Sequence, residues 1–170
     1  MVVGQRNPVY KIRSCDGQIL VVQDWVIAQS KCLSIVFAYQ NVPAPPLQTS
    51  VCSLVLKKVI EWCSQHRHDN ADQVYRNIPN WDAQFLQDNK EIILHLIEAA
   101  FRLEIRGLLS IACKAVSIMS GRSVRDVKLR LRVGGLGDED DDFEDDDILE
   151  QDEEEDDGDD AERLPPIPAA

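Results

Sequence analysis

The sequence is poor in the residues that carry chemistry. Its 170 residues include three histidines and five cysteines. The cysteines are Cys15, Cys32, Cys52, Cys63 and Cys113, an odd number with no C-x-x-C among them. A disulfide framework and a paired zinc-ligand pattern both lack support. No apolar run approaches the roughly 18 residues of a membrane-spanning helix, and no apolar signal segment stands at the start. There is no Gly-rich phosphate loop, no G-x-S-x-G and no H-E-x-x-H. These absences lead to a set of expectations: free thiols in a reducing compartment, cytoplasmic or nuclear, with no cofactor, no metal and no membrane contact.

Charge is abundant but divided. The net charge of −12 comes entirely from one end. Asp138 to Arg163 holds 19 acids and one arginine, a net of −18; the remainder carries 17 Lys and Arg against 11 acids, a net of +6. Such an acidic run repels itself and has few apolar groups to offset its ordering entropy, so disorder is expected over 134–170. Phe143, Ile148 and Leu149 are apolar islands within it. The run also opposes the phosphate attraction on which nucleic-acid binding relies, so no nucleic-acid partner is expected.

From Val9 onward the pattern reads as a hairpin followed by helices, up to a domain end at Gly134-Gly135-Leu136-Gly137. Val9 to Cys15 alternates Tyr10 and Ile12 with Lys11 and Arg13, and Asp16-Gly17 suits a tight turn. Gln18 to Asp24 then reads as a second strand, and four consecutive apolar residues predict cover on both faces. Asp24 is an expected N-cap for one helix or two short ones up to Tyr39. Asn41 to Pro46 (NVPAPP) must be loop, because proline removes donors and fixes φ. Ser50 to His66 is an amphipathic helix with Val55, Leu56, Val59, Trp62 and Cys63 on its stripe. Asn80 is placed as the cap of a short helix over Trp81 to Leu86. Glu91 to Ile105 and Leu108 to Ser120 form a helical pair, with Gly107 supplying the break and Gly121 the stop. Ser123 to Asp126 resembles a capping box and opens a last helix carrying Arg125, Lys128, Arg130 and Arg132.

Within "KKVIEWCSQHRHD", residues 57 to 69, Cys63, His66 and His68 lie close together. A tetrahedral zinc site needs four ligands, and no second pair is available. A nucleophilic thiol needs a base and a lowered pKa, whereas Cys63 continues an apolar stripe. The plain expectation is a buried Cys63 with two solvated histidines at a frayed helix end, no catalytic residue, and no enzyme.

Four segments carry a family resemblance. "LKKVIEWCSQHRHD", "YKIRSCDGQILVV", "NWDAQFL" and "LIEAAFRLEIRGLLSIACKAV" resemble, in order and spacing, the Skp family, the adaptors of cullin–RING ubiquitin ligases. The resemblance spans about residues 8–133 and implies an α+β, BTB/POZ-like domain, a small sheet with flanking helices, followed by a helical extension over about residues 81–133. A short third strand at Leu47-Gln48 comes mainly from it. It implies a non-catalytic linker between F-box substrate receptors and a cullin N-terminal region, with self-association open. Carried over by motif, the F-box surface is Ile93, Ile97, Leu109, Cys113, Val116 and Met119. The competing reading of that stripe is ordinary core.

The chain departs from this pattern in three places. The family's cullin-facing Asn-Tyr is here Phe101 and Arg102, which implies weakened or retuned cullin binding. The family's closing helix is replaced by Gly-Gly-Leu-Gly and the acidic run, and its acidic loop by NVPAPP. These departures keep two alternatives open: an interaction protein that binds F-box-type helices without a cullin, and an acidic-tail binder of basic proteins. The tail beside a basic helix also leads us to expect that it folds back and partly shields the F-box surface at low salt; a merely solubilising tail is the alternative.

Overall fold

The computed structural model describes residues 10–39 and 45–133. The expectation for 134–170 lies outside these residues, as does most of the NVPAPP loop. Strands β1 (Tyr10–Arg13) and β2 (Ile19–Val22) form the expected hairpin. Gly17 adopts φ +83° in its turn, and its N–H donates to the Ser14 carbonyl at 3.0 Å. The two strands pair antiparallel, while β3 (Leu47–Gln48) adds to the other side of β1 in parallel, giving the order β2-β1-β3. Ile12 faces Leu20 on one neighbour and Leu47 on the other.

The sheet is covered on one side only, which corrects the expectation for β2. Ile12 and Val22 are buried in the core, whereas Ile19 and Val21 are exposed beside Lys11 and Arg13. Side chains alternate with period two along a strand, so a single covered face can bury only half of an apolar run.

Helices α1 (Asp24–Gln29) and α2 (Lys31–Ala38) divide at Ser30. The Ser30 hydroxyl accepts from the Leu33 N–H at 3.1 Å, capping α2, and donates to the Leu103 carbonyl. Asp24 is not the cap of α1: it is the first helical residue, and Gln23 holds the cap position. Helix α3 (Ser53–Gln65) is capped from a distance by Asp16. Its carboxylate accepts from the Ser53 N–H at 2.8 Å and the Ser53 hydroxyl at 2.6 Å. Hydrogen bonds from Ser53 and then Ser14 hold the Asp16 carboxyl well below the usual range. One turn residue thus shapes the hairpin and starts a helix 37 residues later.

Helix α4 (Asn80–Asp88) begins after Pro79, whose carbonyl accepts from the Ala83 N–H at 2.9 Å. Asn80 is inside the helix and does not cap it. A 3₁₀ turn at Lys90–Ile92 leads into α5 (Ile93–Arg102), followed by α6 (Arg106–Ser120) and α7 (Val124–Leu131). Helix α6 ends at Gly121, φ +61°, as expected, and the Ser123 hydroxyl caps α7 by accepting from the Asp126 N–H at 3.1 Å. Helix α5 packs against α3 and α6, and α6 against α4 and α7.

The break between α5 and α6 is not made by Gly107. Glu104 turns the chain there, with a left-handed φ of +52°, and Gly107 lies inside α6. A Cβ on Gly107 would stand 2.8 Å from the Trp62 ring and 3.3 Å from that of Tyr75. Glycine is required by close packing, not by a turn. Gly107→Ala is therefore expected to lower the unfolding free energy by about 1–3 kcal/mol through overpacking. Glu104→Gly is expected to raise it by about 0.5–1 kcal/mol by relieving the left-handed residue. Urea midpoints at unchanged slope measure both, and a neutral Gly107→Ala would refute the close-packing account.

Candidate functional site

Trp62 and His66 leave the last turns of α3 on one side of the helix, and α4 brings Asp82 to meet them. The Trp62 Nε1–H donates to Asp82 Oδ1 at 2.7 Å. His66 Nε2 lies 3.0 Å from the same oxygen, and His66 Nδ1 lies 2.7 Å from Asp69 Oδ2. The Tyr75 hydroxyl donates to that Asp69 oxygen at 2.7 Å. The His66 ring stacks on Trp62 with centroids 4.1 Å apart. Gln29 of α1 closes the cluster, its Nε2 donating to the carbonyls of His66 and Asp69 at 2.8 and 2.9 Å.

This corrects the reading of His66 as solvated. The side chain is buried, because its carboxylate partner arrives from α4, 16 residues later. His68 is exposed. Cys63 is enclosed by the core, and burial pushes its thiol up to about 12, so it is not a thiolate near neutral pH. Among the described residues no group of three or more His, Cys, Asp or Glu could hold a metal ion. The cluster is a polar clamp that fixes α4 and the 66–75 loop against α3.

The residues that the resemblance assigns to partners separate into two groups. Ile93, Ile97, Leu109 and Cys113 are 5%, 1%, 2% and 0% exposed. They are core residues, which corrects the expectation that they lie open to a partner. The first turns of α6 are buried nearly all round, with Leu108, Ile111 and Ala112 as well, so its apolar stripe is spent on packing. Val116 is half-buried, and only Met119 of the expected set is open, at 63%. Its neighbour Ile118 is 74% exposed, and Leu94 on α5 and Leu129 on α7 are also exposed. Sequence periodicity missed these three. Ile118 was detectable as an apolar residue off the stripe of α6.

Phe101 and Arg102 end α5. Phe101 is half-buried and Arg102 exposed. The Arg102 guanidinium donates to Glu98 Oε1 from Nε and Nη2 at 3.0 and 2.8 Å, and to the Ser50 hydroxyl from Nη1 at 3.0 Å. It stands between two concavities. One, of about 550 Å³, lies between α5 and the end of α7. The other, of about 330 Å³, lies between α2 and the stretch from β3 to Val51.

The clamp has a pH signature. Burial by itself lowers the pKa of His66, but hydrogen bonds and charge from Asp82 and Asp69 outweigh it, so the ring titrates above its ordinary 6.5. Asp69 is held low by the Tyr75 and His66 hydrogen bonds. The His66 contribution to stability is complete below about pH 6.5 and is lost as pH rises through the folded value. The Asp69 contribution is present above the ordinary carboxyl range and is lost in acid. Chemical denaturation from neutral to mildly alkaline pH should show stability falling for the wild type. In His66→Gln, less stable throughout, this slope should be absent; an unchanged slope would refute the assignment.

Comparison with known proteins agrees with this architecture. Residues 8–68 match the family model described as "Skp1 family, tetramerisation domain". The chain is 30% identical over 132 residues to "E3 ubiquitin ligase complex SCF subunit sconC" of Aspergillus flavus, covering 72% of this chain and 82% of that protein. It is 31% identical over 134 residues to "Skp1-related protein" of Caenorhabditis elegans, covering 69% and 76% respectively. With its BTB/POZ-like α+β fold and this extent of likeness, the chain belongs to the Skp1 family.

Proposed function

We propose that the chain is a non-catalytic adaptor of an SCF-type cullin–RING ubiquitin ligase, holding an F-box substrate receptor on one side and a cullin N-terminal region on the other. The observation that carries this reading is the end of α6. Ile118 and Met119 are 74% and 63% exposed, and nothing among the described residues covers them. Apolar side chains held open at the end of a packed helix suit an amphipathic partner helix. The relatives named as SCF subunits support the same role. Such an adaptor needs no chemistry of its own, because tethering two partners raises their effective concentration. Five free cysteines support a reducing compartment, cytoplasmic or nuclear.

On this reading Met119 and Ile118 contact the F-box directly, with Val116 at the edge. Ile93, Ile97, Leu109 and Cys113 act beneath them by fixing α5 and α6. Phe101 and Arg102 face the cullin. A second reading has an observation in its favour: the Arg102 guanidinium is already engaged by Glu98 and Ser50. Cullin contact would disturb those bonds, and a chain that keeps the F-box without the cullin would act as a decoy.

Two titrations of the full chain test these readings. An F-box segment should bind, and Ile118→Asp with Met119→Asp should weaken it by at least roughly tenfold, about 1.4 kcal/mol. A cullin N-terminal region should bind more tightly to Phe101→Asn with Arg102→Tyr than to the wild type. Wild-type binding of both partners establishes the adaptor. F-box binding with cullin binding confined to the double variant establishes the decoy, and failure of the F-box to bind overturns both.

A further inference from the structure

The groove between α5 and the end of α7 is apolar at its floor and cationic at its border. Leu94, Ile97 and Phe101 form one wall, and Leu131 and Val133 the other. Ile97 and Val133 are buried, while Phe101 and Leu131 are half-buried and continue the floor outward. Four residues at the rim are polar or charged. Glu98 and Arg102 pair with each other at 2.8 Å; His95 and Arg132 stand exposed. Beyond the rim, Arg122, Arg125 and Arg130 are exposed on or beside α7, against the single acid Asp126. The excess of arginine around an apolar floor favours a ligand that is acidic and carries spaced apolar side chains.

This chain contains such a segment. The described residues end at Val133, in the groove wall itself. Residues 138–150 hold ten acids together with Phe143, Ile148 and Leu149. Phe143 lies ten residues past Val133, a reach of up to about 33 Å when extended. The groove wall from Leu94 to Phe101 is seven residues of helix, about 10 Å. The segment is thus long enough to turn back, and its tether raises its local concentration to roughly the millimolar range.

We propose that residues 138–150 dock into this groove in the same chain. Phe143, Ile148 and Leu149 meet the apolar floor, and the Asp and Glu side chains meet Arg125, Arg130 and Arg132. Phe101 and Arg102 line the groove, so the docked segment shields the corner assigned above to the cullin. That consequence rests on the adaptor reading, but the docking itself does not, and its test requires no partner.

The experiment uses the full chain with labelled Ile, Leu and Val methyl groups, compared with the full-length variant F143S/I148S/L149S. The substituted positions lie outside the described residues. The methyl resonances of Leu94, Ile97, Leu131 and Val133 should shift between the two, while those of Val55 and Val59 stay in place. Raising salt from about 0.1 M to about 1 M cuts the screening length from ~10 to ~3 Å and should move the wild-type resonances toward the variant's. Adding a synthetic peptide of residues 138–150 to the variant should restore the wild-type positions; the same peptide with the three serines should not. Superimposable spectra of wild type and variant overturn the proposal. So do shifts that vanish on roughly tenfold dilution, which indicate docking into a second copy, since a tethered contact is independent of concentration.

Discussion

Trp62 is where the helical part of the fold is held together. Its indole is almost fully buried, and each edge of the ring has a separate constraint. The N–H must find an acceptor once water is excluded, and Asp82 of α4 supplies it. One face carries the His66 ring. The far edge presses on α6 so closely that position 107 has no room for a side chain. Helices α3, α4 and α6 are therefore set relative to one another by a single side chain. Asp82 is completely buried, with Oδ1 receiving the contacts from Trp62 and His66.

The clamp decides what is left for partners. With α6 pressed against Trp62 and α5, the apolar stripe through Leu109 and Cys113 belongs to the interior. Only the last turn of α6 projects far enough to leave Ile118 and Met119 open. The other corner proposed to face a partner, Phe101 and Arg102, occurs where α5 runs out and Glu104 reverses the chain. Both surfaces lie at helix ends, where the packing that consumes the middle of each helix stops.

Charge follows a different division. The folded body is mildly basic and the chain beyond Gly137 strongly acidic, and the basic residues of α7 lie beside the point where the two meet. Opposite charges so close in sequence need little ordering entropy to come into contact. The groove between α5 and the end of α7 lies at the same point, which is why the docking is proposed there.

Several features are determined by the sequence alone, because they depend on near neighbours. The hairpin follows from β-formers around Asp16-Gly17, α3 from its 3.6-residue period, and the stop of α6 from Gly121. The free thiols and the charge division are matters of composition. The four ordered motifs also carried the family and hence the third strand, which two residues of pattern could not show. Other features were decided only by tertiary structure, because they join residues far apart in the chain. Asp16 caps a helix 37 residues away, and Asp82 turns an apparently solvated His66 into a buried one. Gly107 is required by a ring on another helix. The same limit applies to the site. Periodicity shows that a helix has an apolar side, but the packing of α5 and α6 decides which of those residues become core and which, like Met119, remain exposed.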